Sequence, residues 1–355
     1  MKFQYHIGVF IGRFQPFHKG HLHNIQKALT ICQRIVILIG SSQRAPSIQN
    51  PFSYQQRRAM MQADLNNIGI DLKRIILAPL TDWYYNLEAW RDEVATTVQA
   101  YCQQGETVAL IGHNKDASTF YLSLFDHWSY VAVDNYYQLN ARQWRDIYFG
   151  QQQIDPHFLV CPTEADSSYY WLEDFMQTDL YQYLRQEYQA VAEYKAAWQY
   201  APYPPVFVTL DACVVINQHI LLIQRKNQPA KQLWALPGGF LDQDERIQSG
   251  IKRELREETQ IDISDDWLNK NHCLTTVYDH PDRSVRGRTI THVSVFQGQL
   301  ETLPTISPSD DAMSAQWIPC HVIVNDMATQ MAEDHYQILR CLIKSGQIQT
   351  NTSDV

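Results

Sequence analysis

Residues 7 to 40 read IGVFIGRFQPFHKGHLHNIQKALTICQRIVILIG, and this stretch decides the fold of the first half of the chain. Ile7 to Ile11 is a short apolar run, and the turn after it is punctuated by glycine and proline. His21 to Cys32 carries a helical pattern, and Arg34 to Gly40 is apolar again. Near-continuous apolar runs alternating with helices predict parallel strands buried on both faces. Two further runs, Arg74 to Ala78 and Thr107 to Ile111, each follow a helical stretch, as parallel crossovers require. The expectation is a doubly wound α/β domain, with Gly12 to His21 at the carboxyl end of a strand, where such sheets bind ligands.

Further along, residues 169 to 200 are rich in Tyr, Gln, Glu and Ala, lack Gly and Pro, and read as helix. Ala201-Pro202-Tyr203-Pro204-Pro205 stops that helix, because proline cannot continue it and biases the preceding residue towards extended geometry. The second half changes character. Val206 to Ile216 is β-branched and alternating, Asn217-Gln218-His219 reads as a turn, and Ile220 to Gln224 returns as a strand, which is a hairpin signature. A charged helix ending near Glu258 follows, then strands around 274–278 and 290–299 and a final helix near 328–343, giving a mixed α+β domain. The expected organisation is a first domain over 1–200, a linker over 201–205, a second domain over 206–345 and a frayed polar tail over 346–355.

A length of 355 residues favours two cores over one. With 29 Lys and Arg against 38 Asp and Glu, the net charge is -9, which argues against binding to nucleic acid, since phosphate-backbone affinity needs clustered Lys and Arg. Seven cysteines are scattered singly without a C-x-x-C pair, which suits a reducing compartment. Met1 to His6 reaches polar residues too soon for a signal peptide, and no apolar run approaches a membrane span. The expectation is therefore a soluble, cytoplasmic protein with small-molecule partners and no membrane partner; a homo-oligomer is left open.

The turn Gly12-Arg13-Phe14-Gln15-Pro16-Phe17-His18-Lys19-Gly20-His21 carries the first chemistry. Gly20 lets backbone approach a ligand closely. His18 and His21 place two imidazole donors beside a helix N-terminus whose N–H groups favour an anion. The set suits a polyphosphate, and its chemistry is charge stabilisation and positioning in phosphoryl or nucleotidyl transfer. The run resembles the H-x-G-H signature of the nucleotidyltransferases, a doubly wound, Rossmann-like superfamily, and its longer form is similar to nicotinamide mononucleotide (NMN) adenylyltransferases of the archaeal type. Asn50 to Arg57 resembles that family's N-P-F-T-x-x-x-R segment, and Tyr85-Asn86 with Trp90 its Y-N…W segment. The resemblance implies nucleotide or substrate contacts at Gly12, Arg13, Phe14, Gln15, Gly20, Arg57, Asn86 and Trp90. Trp90 is either a stacking platform for nicotinamide or a core residue. It implies catalysis by His18 and His21, with Arg145 holding the triphosphate. Arg145 closes Leu139 to Arg145, which lacks the Ser and Thr of the family's I-S-x-T-x-x-R motif. Gly112, Lys115 and Asp116 follow a strand and are further nucleotide-contact candidates.

The second constellation starts at Gly239. Glu245 lies six residues on, Arg253-Glu254-Leu255-Arg256-Glu257-Glu258 begins eight later, and Ile261 closes the pattern. Glu254, Glu257 and Glu258 share one helix face at i, i+3 and i+4. Such carboxylates either bind a hard cation, Mg²⁺ or Mn²⁺, or are neutralised by Lys252, Arg253 and Arg256. The pattern resembles the Nudix box, G-x5-E-x7-R-E-U-x-E-E-x-G-U, at every fixed position but one: Gln260 stands where the box has its second glycine. If Gln260 is left-handed it costs roughly 1–2 kcal/mol locally. The resemblance implies metal-assisted hydrolysis of a nucleoside diphosphate, with Glu254, Glu257 and Glu258 on the metal and Glu257 essential to turnover. Gly239, Glu245 and Arg253 would be structural. Asp310 and Asp311 are candidates for the general base. His280 to His292 is similar to a segment of Nudix proteins that handle ADP-ribose, and Arg283, Arg286 and Arg288 are its candidate diphosphate contacts.

Together the two resemblances point to the bacterial bifunctional NMN adenylyltransferase/Nudix hydrolases. They imply ATP, NMN and ADP-ribose as substrates and a divalent metal as cofactor. The alternative is an adenylyltransferase fused to a Nudix module that senses its ligand without cleaving it, which need not keep the three glutamates.

Overall fold

The computed structural model describes residues 3–112, 124–133, 141–160 and 168–350. The chain divides into two units, Met1–Arg185 and Gln186–Val355. In the first, β1 (Tyr5–Gly12), α1 (Lys19–Ile31), β2 (Cys32–Ile39), α2 (Tyr54–Asn67), β3 (Ile75–Pro79), α3 (Leu87–Gln99), β4 (Val108–Gly112) and β5 (Ser129–Ala132) succeed one another. All five strands are parallel, in the order β3-β2-β1-β4-β5. Alternate residues of β1 and β2 serve opposite faces. Ile7, Val9, Val36 and Leu38 pack with Val94 and Val98 of α3, while Phe10, Ile35, Ile37 and Ile39 pack with Ile25 of α1 and Met61 and Leu65 of α2. Covering both faces is why these strands read as unbroken apolar runs. Winding reverses between β1 and β4, so the chain leaving Gly12 and the chain leaving Gly112 both start at the switch point, where open α/β sheets form their ligand crevice.

α4 (Ala141–Arg145) runs into a π-helical turn, Asp146–Gln151, and α5 (Ser168–Phe175) and α6 (Asp179–Ala196) follow. The long helix expected over 169–200 is thus two helices. Thr178 causes the break: its hydroxyl donates to the Phe175 carbonyl at 2.7 Å and accepts from Tyr181 N at 3.2 Å, so it caps α6. The division between units falls inside α6, ahead of the prolines at 202, 204 and 205 that suggested a boundary. Glu187 accepts from Ala230 N at 3.0 Å, and Tyr194 meets Phe207 and Phe240, so the second half of α6 belongs with the second unit.

That unit contains β6 (Val206–Ile216), β7 (His219–Arg225), β8 (Trp234–Ala235), β9 (Gly238–Phe240), α7 (Ile247–Thr259), α8 (Asp265–Lys270), β10 (His272–Tyr278), β11 (Arg288–Gly298), β12 (Ala312–Pro319), α9 (Cys320–Asp326) and α10 (His335–Lys344). The sheet runs β10-β11-β6-β7-β12, with β8 on β7 and β9 on β6. β6 and β11 are parallel and the other pairs antiparallel. Asn217 and Gln218 both take positive φ, the conformation of a two-residue hairpin turn. The terminal helix expected over 328–343 is α10, which starts only at His335, and α9 before it was not expected. Ile251 and Leu255 of α7 pack on Leu210, Val214 and Ile216 of β6, with Glu254 and Glu258 buried beside them and Glu257 exposed.

Candidate active sites

In the first unit the turn after β1 folds under its own aromatic residues. Phe14 is buried, with φ of 50°, and lies edge-on to His21 with ring centroids 4.7 Å apart. A Cβ on Gly12 would stand 2.9 Å from the Phe14 ring, so only glycine allows this tuck. Phe17 and His18 both stack with the His21 ring, at 5.9 and 3.6 Å between centroids.

His18 caps α1, its Nδ1 accepting from Gly20 N at 3.2 Å, so a neutral ring carries its proton on Nε2. Burial pushes the pKa of His21 well below the ordinary value, and the neighbouring His18 adds to the effect. A neutral His21 is thus a hydrogen-bond donor, and its buried Nδ1 has no hydrogen-bond partner among the described residues. The helix N-terminus differs from the sequence expectation. Lys19 N donates to the Phe158 carbonyl, Gly20 N to His18 Nδ1 and His21 N to the His18 carbonyl, so the first turn offers an anion no free N–H at these positions.

The depressed His21 pKa sets a direction for stability. Between its folded value and the ordinary 6.5 the unfolded chain holds more protons, so stability falls as pH falls below about 6.5. Thermal unfolding of the first unit followed from pH 7.5 to 5.5 should show that loss, and His21→Asn should reduce the slope. An unaltered slope would contradict a neutral buried imidazole.

Several expected contact residues are instead structural. The Gln15 amide donates to the Phe52 carbonyl at 2.9 Å and accepts from Phe52 N at 3.1 Å, pinning the turn to the 50–53 segment. Arg57 is buried and gives its guanidinium to the carbonyls of Arg13, Gly40, Ser41 and Ser53 at 2.5, 2.6, 3.1 and 3.2 Å. Burial lowers its pKa to about 10, which keeps it charged at neutral pH. Phe14, Gln15 and Arg57 therefore shape the crevice from beneath, with these side-chain groups engaged inside the fold. Asn86 caps α3 by accepting from Ala89 N at 2.9 Å, and Trp90 packs against the core beside Val94. Arg145 does reach the turn, donating to the Gln15 carbonyl at 3.0 Å. Arg13 is exposed at the mouth, Gly20 is buried in the cap, and Gly112 ends β4; Lys115 and Asp116 lie outside the described residues.

Sequence reasoning missed a cluster at the ends of β2 and β3. Asp82 accepts from Ser41 N at 3.2 Å and faces Arg44 at 3.9 Å, while Arg44 lies over the Tyr84 ring at 5.0 Å. The available signal was the first polar residues after each parallel strand.

In the second unit β9 brings Gly239 onto α7. A Cβ there would stand 2.5 Å from the Glu254 carboxylate, so any larger residue would displace that carboxylate. Arg253 forms a bidentate pair with Glu245, Nη2 to Oε1 at 2.5 Å and Nε to Oε2 at 3.1 Å. Its Nη2 also donates to the Phe240 carbonyl at 3.2 Å, bracing the loop onto the helix. Its Nη1 bridges Glu254 at 2.9 Å and Glu257 at 2.8 Å. Lys252 instead bonds Asn269, and Arg256 pairs with Asp265, so only one of the three expected cations meets these carboxylates.

Among the described residues no ready-made metal cage converges. The donor set nonetheless fits a hard cation. Glu254 and Glu258 are buried, and burial raises them to about 7 and about 8 even with Arg253 beside Glu254 and Gly238 N donating to Glu258 at 2.8 Å. Two carboxylates so poorly compensated, with the exposed Glu257 one turn away, need more positive charge than Arg253 supplies. Asp211, buried on β6 and accepting from the Thr291 hydroxyl, adds to the negative field on Glu258. It was missed, though a lone acid inside VFVTLDACVVI was the signal.

Gln260 ends α7 with φ 44° and ψ 37°, the left-handed conformation that favours glycine. Gln260→Gly should therefore stabilise the second unit by about 1 kcal/mol, read as a rise of a few degrees in its thermal transition; an unchanged or lower transition would refute this.

The arginine segment is a correction. Arg283 is buried in a two-bond ion pair with Asp334, at 3.0 and 3.1 Å, and its third nitrogen lies 3.4 Å from Thr209 Oγ1, so it anchors α10 to β6 instead of facing a ligand. Arg286 is half-buried, 3.5 Å from Glu333 and over the Phe240 ring at 5.1 Å; Arg288 pairs with Asp279. Asp311 accepts from Asn227, and Lys226 donates to the Asp310 carbonyl, on an exposed loop.

Residues 9–120 match the cytidylyltransferase-like family and residues 208–342 the NUDIX domain. A nicotinamide/nicotinic acid mononucleotide adenylyltransferase from Acinetobacter baylyi is 35% identical over 183 residues, 51% of this chain and 93% of the relative. An ADP-ribose pyrophosphatase from Methanocaldococcus jannaschii is 34% identical over 136 residues, 38% of this chain and 70% of the relative. A crystal structure of a bifunctional NMN adenylyltransferase/ADP ribose pyrophosphatase from Francisella tularensis, complexed with AMP and a manganese ion, is 43% identical. It superposes with a TM-score of 0.92 over 96% of this chain and 99% of that one. With the nucleotidyltransferase turn at a sheet switch point and the Nudix glutamates on α7, the chain belongs to the bifunctional NMN adenylyltransferase/Nudix hydrolase family.

Proposed function

We propose that the first unit transfers AMP from ATP to NMN, giving NAD and pyrophosphate, and that the second hydrolyses ADP-ribose to AMP and ribose 5-phosphate with Mg²⁺ or Mn²⁺. The observation that carries the reading is that one chain places a stacked His18–His21 pair at the switch point of a parallel sheet and three glutamates on one side of a helix. In the first reaction an oxygen of the NMN phosphate bonds to the α-phosphorus of ATP as the bond to the leaving pyrophosphate breaks. His18 and His21 donate hydrogen bonds to the phosphate oxygens as negative charge shifts onto them, and Arg145 helps hold the triphosphate.

In the second unit Glu254, Glu257 and Glu258 would hold the divalent ion. When bound, that ion polarises the pyrophosphate and favours deprotonation of the attacking water. Arg253, locked by Glu245, keeps the loop and the carboxylates in register. The three retained glutamates favour a hydrolase over a sensing module, which would not need them.

Incubating the protein with ATP, NMN and Mg²⁺, and separately with ADP-ribose, and identifying products by mass tests both halves. NAD in the first, AMP with ribose 5-phosphate in the second, and loss of the second on chelation are expected. A folded sample that yields neither product set would remove the reading.

A further inference from the structure

We propose that the second half of α6 completes the substrate site of the second unit, with Tyr194 joining Phe207 and Phe240 to form the surface on which the purine of the nucleoside diphosphate stacks. The proposal rests on the reading of this unit as a pyrophosphohydrolase. Tyr194 and Phe240 are parallel within 10°, with centroids 6.4 Å apart, and Phe207 packs against them at 5.5 and 5.9 Å. Trp198 lies edge-on to Phe207 at 5.3 Å and also holds the Tyr194 hydroxyl. The Arg286 guanidinium lies 5.1 Å from the centre of the Phe240 ring.

Three features mark this group as a binding surface. The three rings are half-buried and stand apart from the aliphatic core of Leu210, Val214, Ile251 and Leu255 beneath α7. A guanidinium accompanies them, and flat aromatic faces beside a cation are what a nucleobase recognises. Their position is also right. Phe240 directly follows Gly239, which lies against the Glu254 carboxylate, and the Phe240 carbonyl is bonded to Arg253. A base stacked here is therefore near a pyrophosphate held at the glutamates. Tyr194 precedes the 208–342 segment that matches the NUDIX domain, so that segment alone lacks part of its own site.

Stacking of a base on one aromatic ring contributes about 1–3 kcal/mol, equivalent to roughly 5- to 150-fold in affinity. Tyr194→Ala should raise the KM for ADP-ribose by that factor with kcat nearly unchanged. Product inhibition by AMP, which carries the base, should weaken equally, and inhibition by ribose 5-phosphate, which lacks it, should not change. Tyr194→Phe should restore wild-type values. Tyr194→Leu, which keeps apolar bulk without an aromatic face, should behave like the alanine variant and serves if that one fails to fold. Unchanged KM, or AMP and ribose 5-phosphate inhibition weakening together, would overturn the proposal. If the wild-type protein does not hydrolyse ADP-ribose, the activity reading fails by itself. Calorimetric binding of AMP with Mn²⁺ then tests the stack, and equal affinity in wild type and Tyr194→Ala would refute it.

Discussion

Glu257→Gln should lower kcat for ADP-ribose hydrolysis by about 10³-fold while leaving NAD synthesis unchanged. Removing a carboxylate proposed to hold the divalent ion should forfeit several kcal/mol of charge stabilisation in the transition state, and every 1.36 kcal/mol is tenfold in rate. Glu257 is the exposed member of the set, tied among the described residues only through the Arg253 bridge, so its replacement should leave the fold and the Arg253–Glu245 brace intact. Nucleotide binding should therefore persist in the inactive variant. Full turnover in the variant, with metal dependence retained, would mean that the glutamates of α7 are a surface feature neutralised by Arg253.

His21→Ala should lower kcat for NAD synthesis by roughly 10²- to 10³-fold, the usual cost of removing one oriented donor from a developing negative charge. ADP-ribose hydrolysis should be unaffected. His18→Ala should show a similar kinetic loss together with about 1 kcal/mol of destabilisation, because its ring also caps α1. The pair separates two roles of the same turn: the rate falls in both variants, and stability falls through cap loss only in the second. If His21→Ala retained wild-type turnover, the stacked imidazoles would be packing for Phe14 and Phe17 and nothing more.

The fold was legible in the sequence wherever burial leaves a periodic trace. β1 and β2 show as unbroken apolar runs because α3 covers one face and α1 with α2 the other. The hairpin of β6 and β7 shows through Asn217-Gln218, which accept positive φ. β12, AMSAQWIP, was not read, although Met313 to Trp317 alternates apolar and polar residues; it is short, and it is held as a strand by pairing with β7. The split of the 169–200 helix and the membership of its end in the second unit were also hidden, because a threonine cap and a few aromatic contacts leave no compositional signal.

Site residues divided along the same line. His18, His21 and the glutamates of α7 stand in spacings that chemistry explains, and the structure brings each set together. Arg57, Gln15 and Arg283 read as ligand contacts because arginine and glutamine suit phosphates. Their donors are spent on backbone carbonyls, on Phe52 and on Asp334, partners distant in sequence that no local pattern reveals. Asp211, by contrast, was available as an acid in an apolar strand.

Both reactions carried out in ¹⁸O-labelled water, with products identified by mass, test most directly that one protein directs a pyrophosphate bond to two different acceptors. The account predicts unlabelled NAD from ATP and NMN, because the acceptor is a phosphate oxygen, and one ¹⁸O across the AMP and ribose 5-phosphate formed from each ADP-ribose, because the acceptor there is water. Absence of NAD, or ADP-ribose left intact in the presence of Mg²⁺ or Mn²⁺, or cleaved without uptake of label, would contradict it.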